Sequence, residues 1–268
     1  MNRSEIFLVM VSGMGTIAGS VMGTYIGMLG GTDPAAKVLF ATHLLSASVM
    51  AVPGSIVLAK MLCPQTEEAT DHVAISGKEK ENSNILDAIS SGTVTGVKLM
   101  TNIAAMLLVF ISLVALANYI TEGVIGRYTG LNDWIVKITD GKAQGLTFQF
   151  ILGVITSPFM WLIGVPSQDI MLVGSLLGQK TILNEFVAYF QLQQWKDAGL
   201  FMYEKSILMS TYILCGFANI SSIGILLGGL GVLAPEKRGL ISRIGLPAMI
   251  GGALVSVLSA TIIGMILG

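Results

Sequence analysis

Residues 178–189 are Gly-Gln-Lys-Thr-Ile-Leu-Asn-Glu-Phe-Val-Ala-Tyr, a run that places the amide of Asn184 and the carboxylate of Glu185 among apolar residues. The whole chain is 53% hydrophobic and only 12% charged, and it has 32 glycines against 7 prolines. A soluble domain of 268 residues does not need so much apolar surface, so the composition predicts an integral membrane protein. An ionisable group at membrane depth is costly and normally faces a polar pathway or a ligand. The stretch therefore predicts both a membrane fold and a functional site.

The chain contains apolar segments of about the length that a helix needs to cross a bilayer. The first of them continues for too long to be the apolar core of a cleaved signal peptide and is expected to be retained. The predicted fold class is thus an all-α, multi-pass integral membrane protein. The segments are 6–29, 35–63, 98–120, 146–165, 170–190, 206–233 and 244–267.

Two of these segments are interrupted near their middle by small and polar residues, at 12–20 and at 215–224. Either patch alone is explained equally well by close packing of small residues between membrane helices. Two patches in separate spans, together with a carboxylate in a third, favour helices that break to present backbone groups to a substrate or ion. The sequence therefore predicts two broken spans.

The remaining segments differ among themselves. Segments 98–120 and 244–267 are nearly uninterrupted, which is typical of lipid-facing or scaffold helices. Segments 146–165 and 170–190 are each marginal as a full span. They form either an ordinary helical hairpin or a re-entrant hairpin whose tip lies near Gly174 and Gly178.

Several function classes are disfavoured by what the sequence lacks. A net charge of −1 without a basic cluster argues against a nucleic-acid partner. No Ser/His/Asp grouping, paired histidines or cysteine cluster suggests an enzyme or a metal centre. Cys63 and Cys215 lie in or beside apolar runs and are expected to be free thiols.

Three further polar residues invite a role. Lys180 lies five residues before Glu185, so we expect it to be a charge or hydrogen-bonding partner of that carboxylate. Asp169 follows Pro166 and is expected to cap the next helix. His43 is interpreted either as a proton relay or, with more support, as a packed polar residue.

At this point the residues carry a family resemblance. The run Gly178-Gln179-Lys180, followed by Asn184-Glu185-Phe186-Val187-Ala188-Tyr189, closely resembles the concentrative nucleoside transporter family. The second interrupted patch, 215–224, is similar to the same family, as are Gly19-Ser20 and the run 48–53. The resemblance covers nearly the whole chain and corresponds to the C-terminal nucleoside-recognition portion of the family.

The resemblance implies a site, residue by residue. Its implied nucleoside contacts are Asn184, Glu185, Phe217, Asn219, Ser222 and Val21. Thr16 and Ile17, in the first interrupted patch, match positions that give a side-chain oxygen and carbonyls to sodium. No other cofactor is implied.

The resemblance also divides the chain into regions. They are 1–63, the first broken span and the following span of the transport domain; 64–97, a polar linker with a short interfacial helix at 85–89; 98–143, a scaffold span and external loop; and 144–268, the re-entrant hairpin, second broken span and last span. Family members carry further spans and a first hairpin before the position of Met1. The chain is therefore expected to be a C-terminal half or truncated form.

The function implied is cation-coupled nucleoside transport, with sodium or a proton as the coupling ion. The implied partners are the nucleoside, the lipid bilayer, two further copies in a homotrimer, and a separately encoded N-terminal half. A non-transporting membrane subunit or a relic fragment is the alternative.

Overall fold

The structure is a computed structural model in which residues 1–66, 84–139, 141 and 143–268 are described. Residues 67–83, the middle of the predicted polar linker, lie outside them. Every regular element of the described residues is a helix, which confirms the all-α prediction. In chain order the α-helices are α1 (Arg3–Gly15), α2 (Gly19–Gly30), α3 (Pro34–Leu62), α4 (Ile85–Asn118), α5 (Arg127–Thr129), α6 (Leu131–Ile138), α7 (Phe148–Leu162), α8 (Ile170–Ile182), α9 (Glu185–Asp197), α10 (Glu204–Leu214), α11 (Ile220–Leu233) and α12 (Arg238–Ile266).

Within the described ranges, three helical stretches are long and apolar enough to cross a membrane: Arg3–Gly30, Pro34–Leu62 and Pro235–Ile266. The first is the pair α1 and α2, and the last is α12 with a preceding turn of 3₁₀-helix. Shorter apolar helices, such as α7, α8 and α11, accompany them. Length and apolar composition together agree with a multi-pass membrane protein.

Both predicted helix breaks are present. The first span is interrupted between Gly15 and Gly19, and the second between Leu214 and Ile220. Each downstream half-helix begins after a residue with extended backbone, Ala18 in one case and Asn219 in the other. The small-residue patches are therefore interruptions of the helical hydrogen-bond ladder rather than continuous packing faces.

The predicted hairpin tip at Gly174 and Gly178 is wrong, because both residues lie inside α8. Their small size serves packing of α8 on α7 instead. A Cβ atom on Gly178 would lie 2.6 Å from Cβ of Leu152, and one on Gly174 would lie 2.6 Å from Oγ1 of Thr156. The chain turns twice in this region, over residues 163–169 between α7 and α8 and at 183–184 between α8 and α9.

The helix predicted to begin at residue 98 begins at Ile85 and continues without interruption to Asn118. The side chain of Asn84 caps it by accepting a hydrogen bond from the backbone N–H of Asp87 at 2.9 Å. Residues 85–89, predicted as a separate interfacial helix, thus form its first turns. A π-helical segment, Tyr119–Gly126, extends it further.

The last helix, α12, was expected to be a lipid-facing or scaffold helix, and the structure argues against the simple lipid-facing alternative. It packs against α1, α3, α10 and α11, and 50% of its most apolar stretch is buried. Glycines on its inner face allow the close approach: a Cβ atom on Gly252 would lie 2.7 Å from Cβ of Met14. Two serines, Ser256 and Ser259, are buried along the same helix. α12 is therefore a central support of the two broken spans.

Candidate functional site

The two breaks meet in space. Gly216, in the second break, has a φ of 116° that L-residues with a side chain rarely adopt. A Cβ atom there would lie 2.8 Å from the carbonyl oxygen of Gly15 and 2.9 Å from that of Met14, at the end of α1. The interrupted backbones are thus packed against each other, and the glycine is required for both its φ and its size.

Glu185 and Asn219 lie side by side at this meeting point. Nδ2 of Asn219 donates a hydrogen bond to Oε2 of Glu185 at 3.0 Å. Asn219 is 2% exposed and Glu185 is 6% exposed. The predicted proximity of the carboxylate to the second break is therefore confirmed.

The orientation of the Asn219 amide is fixed by the start of α11. Its Oδ1 accepts hydrogen bonds from the backbone N–H of Ser222 at 2.9 Å and from the hydroxyls of Ser222 and Ser221 at 3.0 and 2.6 Å. The oxygen caps the helix, so the amide nitrogen is the atom left for the carboxylate. Ser222 is buried in this network.

Asn184 caps the start of α9 in the same way. Its side chain accepts a hydrogen bond from the backbone N–H of Val187 at 2.9 Å, and Glu185 is the first residue of the helix. The N-termini of α9 and α11 therefore both adjoin the Glu185 carboxylate. Because a helix N-terminus carries a partial positive charge, both ends favour the ionised acid.

Tyr25, on α2, completes this cluster and was missed by the sequence analysis. Its hydroxyl lies 3.5 Å from Oε1 of Glu185, at the outer limit of a hydrogen bond, and its ring stacks on Tyr189 at a centroid distance of 4.0 Å. A signal was available: Val21 and Tyr25 are four residues apart, so they share one face of the helix that follows the first break.

The two apolar residues predicted to contact the substrate are Val21 and Phe217. Val21 is half-buried and packs against the main apolar core. Phe217 is half-buried within the second break, two residues before Asn219. Val21 is thus in the first turn of α2, directly after the first break, and Phe217 is in the second break itself.

The first break offers oxygen atoms rather than acids. Oγ1 of Thr16 donates to the carbonyl of Ser12 at 3.0 Å, and it retains lone pairs that a hard cation can use. Ile17 is buried with its side chain in the core. The last carbonyls of α1 have no partner within that helix. In the described residues no group of three or more His, Cys, Asp or Glu residues could hold a metal ion. The oxygen atoms of Thr16 and of the neighbouring carbonyls are ligands of the kind that hard cations take.

Lys180 and Glu185 attract each other electrostatically, as expected of charge partners, but among the described residues no ion pair within 4.0 Å joins them. Nζ of Lys180 instead donates to the carbonyl of Ile213 at 2.8 Å and to Oγ of Ser256 at 3.0 Å. The lysine is fully buried. Its hydrogen-bond partners belong to α10 and α12.

Asp169 stands at the N-cap position of α8, but its side chain does not cap that helix. Its carboxylate accepts from the backbone N–H groups of Met202 and Tyr203 at 3.0 to 3.2 Å, which ties the turn before α8 to the chain before α10. Nδ1 of His43, a half-buried residue, lies 3.1 Å from the hydroxyl of Tyr212. Cys63 and Cys215 are both free.

Broken spans whose half-helix ends meet around a buried carboxylate and amide are typical of membrane transporters built on discontinuous helices. Residues 43–264 match the family model described as the C-terminus of Na⁺-dependent nucleoside transporters, and the chain belongs to this family. The family consists of transporters, which confirms that the chain is not an enzyme. It is an integral membrane protein.

Relatives extend beyond the region that the chain matches. The nucleoside permease NupC of Helicobacter pylori is 37% identical over 270 residues, which are 100% of this chain and 59% of the permease. Sodium/nucleoside cotransporter 1 of Rattus norvegicus is 38% identical over 280 residues, 99% of this chain and 40% of the cotransporter. The structure of CNTnw in an inward-facing substrate-bound state superposes with a TM-score of 0.80 at 36% identity, over 99% of this chain and 57% of that one. The chain thus spans about 40 to 60% of the length of these relatives.

Proposed function

We propose that this chain forms the nucleoside-binding portion of a cation-coupled nucleoside transporter of the plasma (inner) membrane. The observation that carries the proposal is the hydrogen bond between Asn219 and Glu185, made where a helical turn and a broken span meet. The names of the relatives, a nucleoside permease and a sodium/nucleoside cotransporter, support the substrate class.

The chemistry of the cluster suits a ribonucleoside. Ribose hydroxyls are hydrogen-bond donors, and the Glu185 carboxylate has acceptor capacity beyond the bonds from Asn219 and Tyr25. Asn184 and Ser222 add polar groups at the adjoining helix starts. Phe217 and Val21 supply apolar surface for the base. Polar groups therefore gather where the sugar would bind, and apolar groups where the base would bind.

Coupling is proposed to use the first break. Thr16 and the backbone at Ile17 would provide oxygens to sodium, while proton coupling would leave them with a structural role. Which ion drives transport is decided by comparing uptake under a sodium gradient with uptake under a pH gradient, because each gradient drives only the ion that the site accepts.

Copies of the protein are proposed to assemble through the surface of α4. Many apolar side chains on this helix are exposed, among them Leu108, Ile111 and Leu116. This surface would contact lipid or neighbouring copies in a homotrimer, and the segment that relatives have in addition would supply the other part of the site. Without it, polar groups of a bound nucleoside would remain unpaired, at a cost of about 1–3 kcal/mol for each group.

The test is complementation. The chain is co-expressed with the segment of Helicobacter pylori NupC that the match leaves out, in cells without their own nucleoside uptake, and accumulation of radiolabelled uridine and adenosine is measured. We expect gradient-driven accumulation from the pair and none from the chain alone. NupC divided at the same place and expressed as two pieces is the positive control. Accumulation by divided NupC, without accumulation by the mixed pair, would contradict the proposal and favour a non-transporting membrane subunit.

A further inference from the structure

Lys180 carries a buried positive charge that the proposed transport chemistry does not use. It lies in the last turn of α8 and is 0% exposed. Among the described residues, no carboxylate lies within 4.0 Å of its ammonium group. Burying a charge is strongly unfavourable unless hydrogen bonds, dipoles or an opposite charge compensate it. Glu185 attracts the ammonium only without direct contact, so hydrogen bonds from the surroundings of Lys180 must supply the rest.

The compensation comes from the second break. Helix α10 ends at Leu214, and the carbonyls of its last turn have no partner within the helix. The ammonium of Lys180 donates to one of them, the carbonyl of Ile213, at 2.8 Å. The C-terminus of a helix carries a partial negative charge, which further favours a cation there.

Ser256 extends this contact to a second carbonyl. Its hydroxyl accepts from Nζ of Lys180 at 3.0 Å and donates to the carbonyl oxygen of Cys215 at 2.6 Å. Cys215 is the first residue of the break, so one ammonium group serves two carbonyls at the end of α10, that of Ile213 directly and that of Cys215 through the serine.

The other end of the same break is held by Glu185, through Asn219. Lys180 and Glu185 stand five residues apart, on either side of the turn between α8 and α9. The cation thus lies at the carbonyl end of the interrupted span, and the anion lies at its N–H end. One short segment of chain holds both ends with charges of the appropriate sign.

We propose that Lys180 is a tethered cation that neutralises the carbonyl end of the second break and so positions Asn219 against Glu185. It is a positioning residue, and its consequence for substrate rests on the proposed function, whereas its structural action does not. The second break then has its own resident cation and needs none from solution. A dissolved coupling ion is left with the first break, at Thr16.

The natural cysteines permit a direct test. Cys63 and Cys215 are the 2 cysteines of the chain, and Cys215 is buried within the break. The chain is purified in detergent with Cys63→Ser, so that Cys215 is the single thiol. The rate at which N-ethylmaleimide modifies Cys215 is measured by mass spectrometry and reports how often the break opens. For Lys180→Met we expect this rate to rise roughly 10- to 100-fold, the range that losing a hydrogen bond to a charged group predicts.

Ser256→Ala should raise the labelling rate as well, because the carbonyl of Cys215 loses its donor. Ser259→Ala is the matched control. It removes a buried hydroxyl one turn along the same helix, whose bond goes to its own helix at the carbonyl of Val255, and it should leave the rate unchanged.

Rescue separates charge from volume. Lys180→Ala removes three methylene groups and the ammonium, which is the size of n-propylammonium. We expect n-propylammonium, and not n-propanol, to restore slow labelling of Cys215 in this variant.

Equal restoration by both compounds would overturn the proposal, because the side chain would then only fill space. A parental rate in Lys180→Met or in Ser256→Ala would also overturn it, and Ser256→Ala decides the matter if the lysine variants do not fold. No nucleoside enters this assay, so its failure is distinct from failure of the proposed function.

Discussion

The amide nitrogen of Asn219 lies 3.0 Å from the carboxylate of Glu185, although the two residues are 34 positions apart. Each belongs to the first turn or cap of its own half-helix, so the bond joins the starts of α9 and α11. Two partially positive helix ends and an amide donor therefore surround one buried acid. Substitution of either residue should therefore weaken nucleoside binding more than it destabilises the fold.

Glu185→Gln tests the acid itself. A glutamine retains one acceptor oxygen but brings an N–H₂ group where the second acceptor stood, facing the donors of Asn219 or Tyr25, and it removes the charge that the helix ends favour. We expect nucleoside uptake by the complemented transporter to fall to background while the protein remains in the membrane. Uptake of radiolabelled uridine measures transport, and the amount of the protein in isolated membranes is measured separately.

Glu204→Gln provides the matched control for that substitution. Glu204 is an exposed first-turn acid of α10, so its loss should leave uptake near the parental rate. Parental uptake by Glu185→Gln would remove this carboxylate from the transport site.

Asn219 combines a cap with a donor, and two substitutions separate these roles. Serine is a good N-cap but is too short to reach Glu185, whereas alanine loses both interactions. We expect Asn219→Ser to lower uptake strongly with little effect on thermal stability, and Asn219→Ala to lower both, with about 0.5–2 kcal/mol of stability lost. Equal uptake by Asn219→Ser and the parent would show that the donor to Glu185 is dispensable.

Tyr25→Phe keeps the ring stacked on Tyr189 and removes only the hydroxyl near Glu185. The loss of one net hydrogen bond, about 0.5–1.5 kcal/mol, predicts a rise in the KM for uridine of roughly 2- to 10-fold. Tyr128→Phe, at an exposed tyrosine on α5, should not change the KM. A KM that is equally unaffected by both substitutions would exclude Tyr25 from the site.

The breaks could be predicted from the sequence because glycine, serine and asparagine in the middle of an apolar span stand out as interruptions. Asn219 and Glu185 were both predicted, and the structure brings them together. Tyr25 was missed since one tyrosine in a membrane helix resembles any aromatic. Only the approach of α2 to α9 shows that its hydroxyl reaches the acid.

The errors have a common cause, which is that sequence spacing does not reveal partners in space. Lys180 attracts Glu185 as expected, yet it does not touch that carboxylate, and its hydrogen bond to the backbone goes to Ile213, 33 positions away. Gly174 and Gly178 were interpreted as a turn, although glycine also permits close helix packing. For a glycine within an apolar run these two uses look alike until the neighbouring helix is known.

Gly178→Ala tests the packing interpretation. The added Cβ would lie 2.6 Å from Cβ of Leu152, an atom fixed to its backbone, so α7 and α8 must move apart. Overpacking of this kind costs about 1–3 kcal/mol, and we expect a lower thermal midpoint. Gly239→Ala is the control: nothing lies within 4 Å of its Cβ position on α12, so the midpoint should stay the same or rise slightly. Similar midpoints for both variants would contradict the close packing of α7 on α8.

Gly216→Ala tests the contact between the two breaks. At a φ of 116° a side chain is strained, and the new Cβ would lie 2.8 Å from the carbonyl oxygen of Gly15. The breaks should separate, so we expect both a lower thermal midpoint and loss of uptake in the complemented transporter. Gly199→Ala is the control, because Gly199 also has a positive φ, 65°, but nothing lies within 4 Å of its Cβ position. It carries the strain of about 1–2 kcal/mol without the contact. If both variants lose the same stability and retain uptake, the meeting of the breaks is incidental; if only Gly216→Ala loses uptake, the transport site depends on the two interrupted backbones remaining packed together.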